Sequence, residues 1–88
     1  MTFEELTAKM NEIHANKNSD YGNSFDKTLD EFGLVASATR MSDKFNRFKS
    51  LIRCSSSARV EGEKIEDTLM DLACYSLMTI EWLTKYGV

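Results

Sequence analysis

Apolar residues recur at three- and four-residue steps along most of the chain, and this periodicity predicts four helices. Phe3, Leu6, Met10 and Ile13 form the stripe of a first helix that starts near Thr2, where Thr2 and Glu5 have capping-box spacing. The stripe fades in the polar stretch Asn16 to Ser19. Asp20-Tyr21-Gly22-Asn23 then reads as a turn, because glycine and asparagine tolerate positive φ. A short second helix follows, with Ser24 as N-cap, Phe25, Leu29 and Phe32 as its stripe and Gly33 at its C-terminal cap. The third helix spans Leu34 to Arg53. Its residues Leu34, Ala38, Met41, Phe45, Phe48 and Ile52 alternate four- and three-residue steps, while Arg40, Asp43, Lys44 and Arg47 occupy another side. Cys54 to Gly62, with its consecutive serines, reads as an exposed loop. The fourth helix is expected from Glu63 to Tyr86, ended by Gly87. Between Thr68 and Leu83 its only charges are Asp71 and Glu81. A helix so apolar is expected to be buried on most sides, as the central helix of a bundle or of an oligomer.

The whole chain is 88 residues long, which favours one all-α domain over 1–88, a four-helix bundle completed by oligomerisation. The absence of proline agrees with helices throughout. A formal net charge of -3 gives no bulk attraction for nucleic acid, so no direct nucleic-acid partner is expected. Cys54 and Cys74 have no metal-ligand spacing and read as reduced thiols of a cytoplasmic protein. The first residues lack the basic and apolar regions of a signal peptide. The longest apolar-rich stretch, Leu69 to Leu83, is short for a membrane span and is interrupted by Asp71. A soluble, intracellular protein with no membrane partner is the expectation.

Asp71 is the most informative position. A carboxylate on so apolar a helix needs a cation, a metal ion or good hydrogen-bond donors. Asp67 projects beside it one turn earlier, and Glu63 extends the acidic edge by another turn. Such a row suits a divalent cation. The alternative is a structural ion pair with Arg40, Lys44 or Arg47 of helix 3, above all a buried arginine–aspartate lock. Those three cations could equally form a solvated face. Tyr21 belongs either to a plain turn or to a surface on which a base stacks. His14 reads as a surface or cap residue, and Trp82 and the phenylalanines as core.

Three ordered motifs run through the chain: Asp20-Tyr21-Gly22-Asn23-Ser24-Phe25, then Arg40-x-x-Asp43-Lys44-x-x-Arg47, then Asp67-Thr68-Leu69-x-Asp71-Leu72-Ala73-x-Tyr75. Together they resemble the nucleotide modification associated domain 1 family, whose members are common in bacteriophages. That family looks like a relative of the MazG-type nucleoside triphosphate pyrophosphohydrolases, all-α enzymes that cleave between α- and β-phosphates with Mg²⁺ and assemble as dimers or tetramers. The resemblance implies a nucleotide ligand, a homo-oligomer and, for a phage-encoded chain, the host cytoplasm. It implies catalytic roles for Asp71 and Asp67, and Mg²⁺ held by Asp67 and Asp71 with Asp43 as a further ligand. Arg40, Lys44, Arg47 and Lys17 would steady phosphates and Tyr21 would stack on the base. One departure stands out. Helix 3 carries no glutamate, where MazG-type enzymes have a Glu-x-x-Glu pair. This raises two alternatives to hydrolysis: a module that binds a nucleotide or a partner enzyme without cleaving anything, and a purely structural helical oligomer.

Overall fold

The computed structural model describes the backbone of residues 1–21, 23–53 and 58–86, and the side chains of these except 19–21 and 58–63. The described residues are helical almost throughout: α1 (Phe3–Tyr21), α2 (Ser24–Phe32), α3 (Leu34–Arg53) and α4 (Ala58–Tyr86). The expected all-α, four-helix architecture is therefore present. The Thr2–Glu5 capping box forms at the head of α1. The Glu5 backbone N–H donates to Thr2 Oγ1 at 3.1 Å, and the Thr2 N–H donates to Glu5 Oε1 at 3.0 Å. The Thr2 backbone N–H, aided by the Thr2 hydroxyl, stabilises the charged carboxylate and lowers the pKa of Glu5.

Two helix boundaries differ from the periodicity. α1 continues through the polar stretch after Asn16 and takes in Asp20 and Tyr21, so the first half of the expected turn is helical. His14 and Asn18 bond to each other across one helical turn at 3.2 Å, and Lys17 reaches an acid on α4, so the polar side chains are engaged without an apolar stripe. Gly22 lies outside the described residues. Asn23 supplies the positive φ expected of the turn, at 60°, and stands as the N-cap of α2 in place of Ser24. α4 begins at Ala58, so the second half of the expected loop belongs to the helix. Gly62 weakens a helix by about 1 kcal/mol, too little to end one flanked by good helix formers. The remainder of that loop, residues 54–57, and the expected terminator Gly87 lie outside the described residues.

α2 turns into α3 at Gly33. Its φ of 72° and ψ of -159° fall in a region that only glycine occupies without strain, and its N–H donates to the Leu29 carbonyl at 2.7 Å. The Gly33 carbonyl then accepts from Ala36 N–H, which starts the next helix.

α3 and α4 make the most extensive pairing, α2 lies against α3, and α1 touches α4 over a much smaller area. α4 contacts all three other helices, as expected of a central helix. The face that α3 turns toward α4 shares only Met41 and Phe48 with the apolar stripe that the spacing suggested. Ser37 and Leu51 are buried and Met41, Lys44 and Phe48 half-buried, whereas Leu34, Ala38, Phe45 and Ile52 are exposed. Polar complementarity explains the rotation. Thr79 Oγ1 donates to the Tyr75 carbonyl at 2.7 Å, which leaves Ser37 as the donor in the 2.6 Å hydroxyl pair between Ser37 and Thr79. Lys44 makes the second polar link to α4. α4 is also less covered than its composition predicts, since Leu69, Leu77 and Ile80 remain exposed.

Leu29 is wholly buried. Leu29→Ala is expected to destabilise the fold by about 2–5 kcal/mol in urea unfolding. Gly33→Ala should destabilise it by about 1–3 kcal/mol although nothing lies within 4 Å of the added Cβ, because the loss is conformational rather than steric.

Candidate functional site

Asp71 sits on the side of α4 next to the α3 contact, with its side chain 31% exposed. Lys44 of α3 donates to Asp71 Oδ2 at 3.0 Å, and Lys17 of α1 approaches Oδ1 at 3.5 Å. Two cations from two helices thus converge on one carboxylate. The structural ion pair considered for Asp71 exists, with a lysine rather than an arginine as the partner from α3. Lys44 is 29% exposed and Lys17 59%, so the Lys44 contact is the stronger of the two and the Lys17 contact is worth at most a few tenths to about 1 kcal/mol.

Beside this cluster opens a pocket of about 280 Å³ between α1, α4 and the start of α2. That is near the lower end of the range for small-molecule sites. Met10, Ile13, Met70 and Met78 line it with apolar surface. Phe25 of α2 and Tyr75 of α4 meet edge to face there, with ring centroids 4.9 Å apart and planes at 62°. Lys17, Asn18 and Asp71 bring polar groups to the same space.

His14 and Cys74 also line the pocket. His14 is half-buried, not a surface or cap residue. Its Nδ1 lies 4.0 Å from Cys74 Sγ and its Nε2 lies 3.2 Å from Asn18 Nδ2. Burial pushes the Cys74 thiol above its ordinary pKa, with the Asp71 charge adding to the shift and the Lys17 ammonium opposing it.

The remaining expected site residues are not gathered here. Arg40 and Arg47 are exposed on α3 and do not line the pocket. Asp43 and Asp67 are exposed as well. The Tyr21 side chain and Glu63 lie outside the described residues. Among the described residues, no three acids, histidines or cysteines cluster closely enough to hold one metal ion. Both oxygens of Asp71 already face lysines. Within one chain the donor set Asp43, Asp67 and Asp71 therefore does not fit Mg²⁺, and no hydrolytic step follows from it. Phe25, Tyr75, His14 and Cys74 escaped residue-by-residue reading. Phe25 and Tyr75 stand at the ends of the first and third motifs, which is the signal that could have found them.

Residues 17–82 match the family model described as nucleotide modification associated domain 1, and the chain belongs to that family. No curated protein and no solved structure matches it. No described helix is long and apolar enough to cross a membrane.

A double-mutant cycle on Lys44→Met and Asp71→Asn should return a coupling of about 1–2 kcal/mol, between the values for exposed pairs and for charged hydrogen bonds. A coupling near zero would remove the ion pair as a determinant of the α3–α4 contact. The raised Cys74 pKa means that the folded state holds the thiol proton more tightly than the unfolded chain. Its stabilising contribution is full below the ordinary thiol pKa and is lost as pH rises through the folded-state value. Stability measured by urea unfolding should therefore fall more steeply on the alkaline side in the parent than in Cys74→Ser, and iodoacetamide should alkylate Cys74 more slowly in folded than in unfolded protein.

Proposed function

We propose that this member of the nucleotide modification associated domain 1 family binds a nucleotide in the pocket between α1, α2 and α4. The observation that carries this reading is that Lys17, Asp71 and the Phe25–Tyr75 pair line one pocket, with Lys44, itself outside the lining, bound to Asp71. Aromatic faces and edges hold a base by stacking and apolar contact. Lysine ammonium groups bind phosphate as point charges. Asp71 keeps the two ammonium groups close together while no anion is present, and an incoming phosphate competes with it for them. Asn18 and His14 add hydrogen-bonding capacity for a sugar hydroxyl or a base edge.

Binding without cleavage is favoured over Mg²⁺-dependent pyrophosphohydrolysis by the arrangement of the acids. The hydrolytic reading keeps one observation in its favour, the Asp67–Asp71 repeat one turn apart on α4. It would need acids from beyond the described cluster. In the binding reading Arg40 and Arg47 serve as flanking charge for long-range attraction of the anion, without touching it.

A thermal-shift and calorimetric panel of nucleosides and mono-, di- and triphosphates tests the proposal. At least one nucleotide should raise the Tm by mass action. Lys17→Met should weaken its binding about ten-fold, the equivalent of about 1.4 kcal/mol. Tyr75→Ala should weaken it by a similar or larger factor. Absence of binding below about 1 mM for every member of the panel overturns the proposal. Release of pyrophosphate or monophosphate in the presence of Mg²⁺ would replace it with the hydrolytic reading.

A further inference from the structure

We infer that Met10, His14, Cys74 and Met78 form a binding site for a soft monovalent metal ion, Cu(I), between α1 and α4. The inference stands on donor chemistry and helix register and does not depend on the nucleotide reading. His14 faces Cys74 across the two helices, and Lys17 faces Asp71. Residue numbers therefore rise along α1 as they fall along α4, and both pairs keep one register. Continued by one helical turn from His14 and Cys74, that register sets Met10 opposite Met78. The cavities agree with this placement. Met10, His14, Cys74 and Met78 line both the pocket described above and a second one of about 240 Å³, which extends toward Thr7 and Glu81. The four side chains are thus the wall that the two cavities share.

The oxygen donors that Mg²⁺ needs do not gather in this chain, but a different set does: one thiol, one imidazole and two thioethers. Thiolate and thioether sulfur are soft donors and select Cu(I) over Mg²⁺ and Ca²⁺. The distances suit a bound ion. His14 Nδ1 lies 4.0 Å from Cys74 Sγ. A first-row metal about 2.3 Å from a thiolate sulfur and about 2.0–2.1 Å from an imidazole nitrogen holds those two atoms about 3.6 Å apart at the tetrahedral angle and about 4.4 Å apart in line. The observed separation falls between these limits, so an ion enters without moving either helix. Each helix contributes its two donors at i and i+4, the spacing that brings two ligands of one helix to one metal. Methionine has three rotatable bonds, which let both thioethers close on the ion.

Charge and burial choose the ion. Met10 is buried and His14, Cys74 and Met78 are half-buried, so an ion held there is largely out of water. Binding forms a bond from Cu(I) to Cys74 Sγ and releases the thiol proton to solvent, with no change of oxidation state. The resulting Cu(I) thiolate is neutral, which suits apolar surroundings. A divalent ion would leave a net positive charge in a pocket that already holds Lys17. Of the two acids that line these cavities, Asp71 is engaged by Lys17 and Lys44 and Glu81 is exposed. The imidazole is also held for this role. Its Nε2 lies 3.2 Å from the Asn18 amide, which leaves Nδ1 turned to Cys74. With a metal on Nδ1, Nε2 carries the ring proton and donates it to the Asn18 amide oxygen, after a half-turn of that amide.

Anaerobic titration of Cys54→Ser protein with Cu(I), against a coloured Cu(I) chelator, tests the inference; the substitution removes the other cysteine of the chain. One ion should bind per chain, and Mg²⁺ or Zn²⁺ at the same concentration should not displace it. In that background Cys74→Ser should weaken binding at least 100-fold and His14→Gln at least ten-fold. Met10→Leu combined with Met78→Leu, which nearly conserves volume, should also weaken it at least ten-fold, with the helix content unchanged by circular dichroism. A readout without these variants is the methyl NMR spectrum. One equivalent of Ag(I), a diamagnetic stand-in for Cu(I), should shift the methyl resonances of Met10 and Met78 and leave those of Met1 and Met41 in place. The inference is overturned if Cys54→Ser protein takes no Cu(I) from the chelator, or if His14→Gln or the double methionine variant binds as tightly as its parent. Met10 and Met78 resonances that ignore Ag(I) overturn it as well.

Discussion

The α3–α4 contact depends on two polar links placed where an apolar seam would ordinarily run. Ser37 meets Thr79, and Lys44 meets Asp71. Neither pair is strong in itself, because a hydrogen bond formed on folding replaces one to water and contributes about 1 kcal/mol net. Their influence comes from the alternative. Rotating α3 to bury Leu34, Phe45 and Ile52 against α4 would leave the Asp71 carboxylate with only the longer Lys17 contact and the Thr79 hydroxyl without Ser37. A part-buried carboxylate stripped of its closer cation is less favourable than an exposed leucine, which is an ordinary surface feature. The hairpin therefore adopts the orientation that satisfies its polar groups, and its apolar surplus is displaced to the outside.

That rotation also places charge beside the pocket. With Lys44 turned inward, its ammonium reaches Asp71 from α3 while Lys17 reaches it from α1. α1 has only a small contact with α4, and the Lys17 link and the Met10 packing anchor it there. The gap left beneath this sparse contact is the pocket, walled by methionines that adapt to irregular space. One carboxylate thus serves two neighbours: it orients α3 and it positions the charge at the mouth of a cavity. Removing its charge would disturb both, which is why a variant at Lys17, outside the α3–α4 interface, is the cleaner probe of binding.

Features set by local chemistry were legible from the residues. The capping box at Thr2 and Glu5, the stop at Gly33 and the positive φ near Asn23 depend on a few consecutive residues. Asp71 was legible as a carboxylate that needed a cation. Lys17 and Lys44 were among the expected phosphate-binding residues, and both lie at the cluster. The rotation of α3 was not legible, because apolar spacing alone cannot report that Ser37 and Lys44 have partners on another helix. The persistence of α1 past Asn16 escaped for a related reason: His14 and Asn18 stabilise each other, and propensity counts each as a poor helix former separately. His14 and Cys74 come together only when α1 lies along α4, and neither has a spacing that announces the other.

A small helical domain has limited surface to divide among helix packing, a pocket wall and solvent. α4 resolves this by angle. One side carries Thr68, Leu72 and Thr79 to α3, the next carries Asp71, Tyr75 and Cys74 to the pocket, and a third leaves Leu69, Ala73 and Ile80 in solvent. The three roles repeat along one helix at a period of 3.6 residues, so neighbouring positions in sequence belong to different tasks. This accounts for the composition of Asp67 to Tyr75, in which acids, a thiol, a threonine and leucines alternate without forming a simple amphipathic stripe. It also explains why α4 looked buried on every side. Its apolar residues serve the α3 contact and the pocket, and the rest stay exposed.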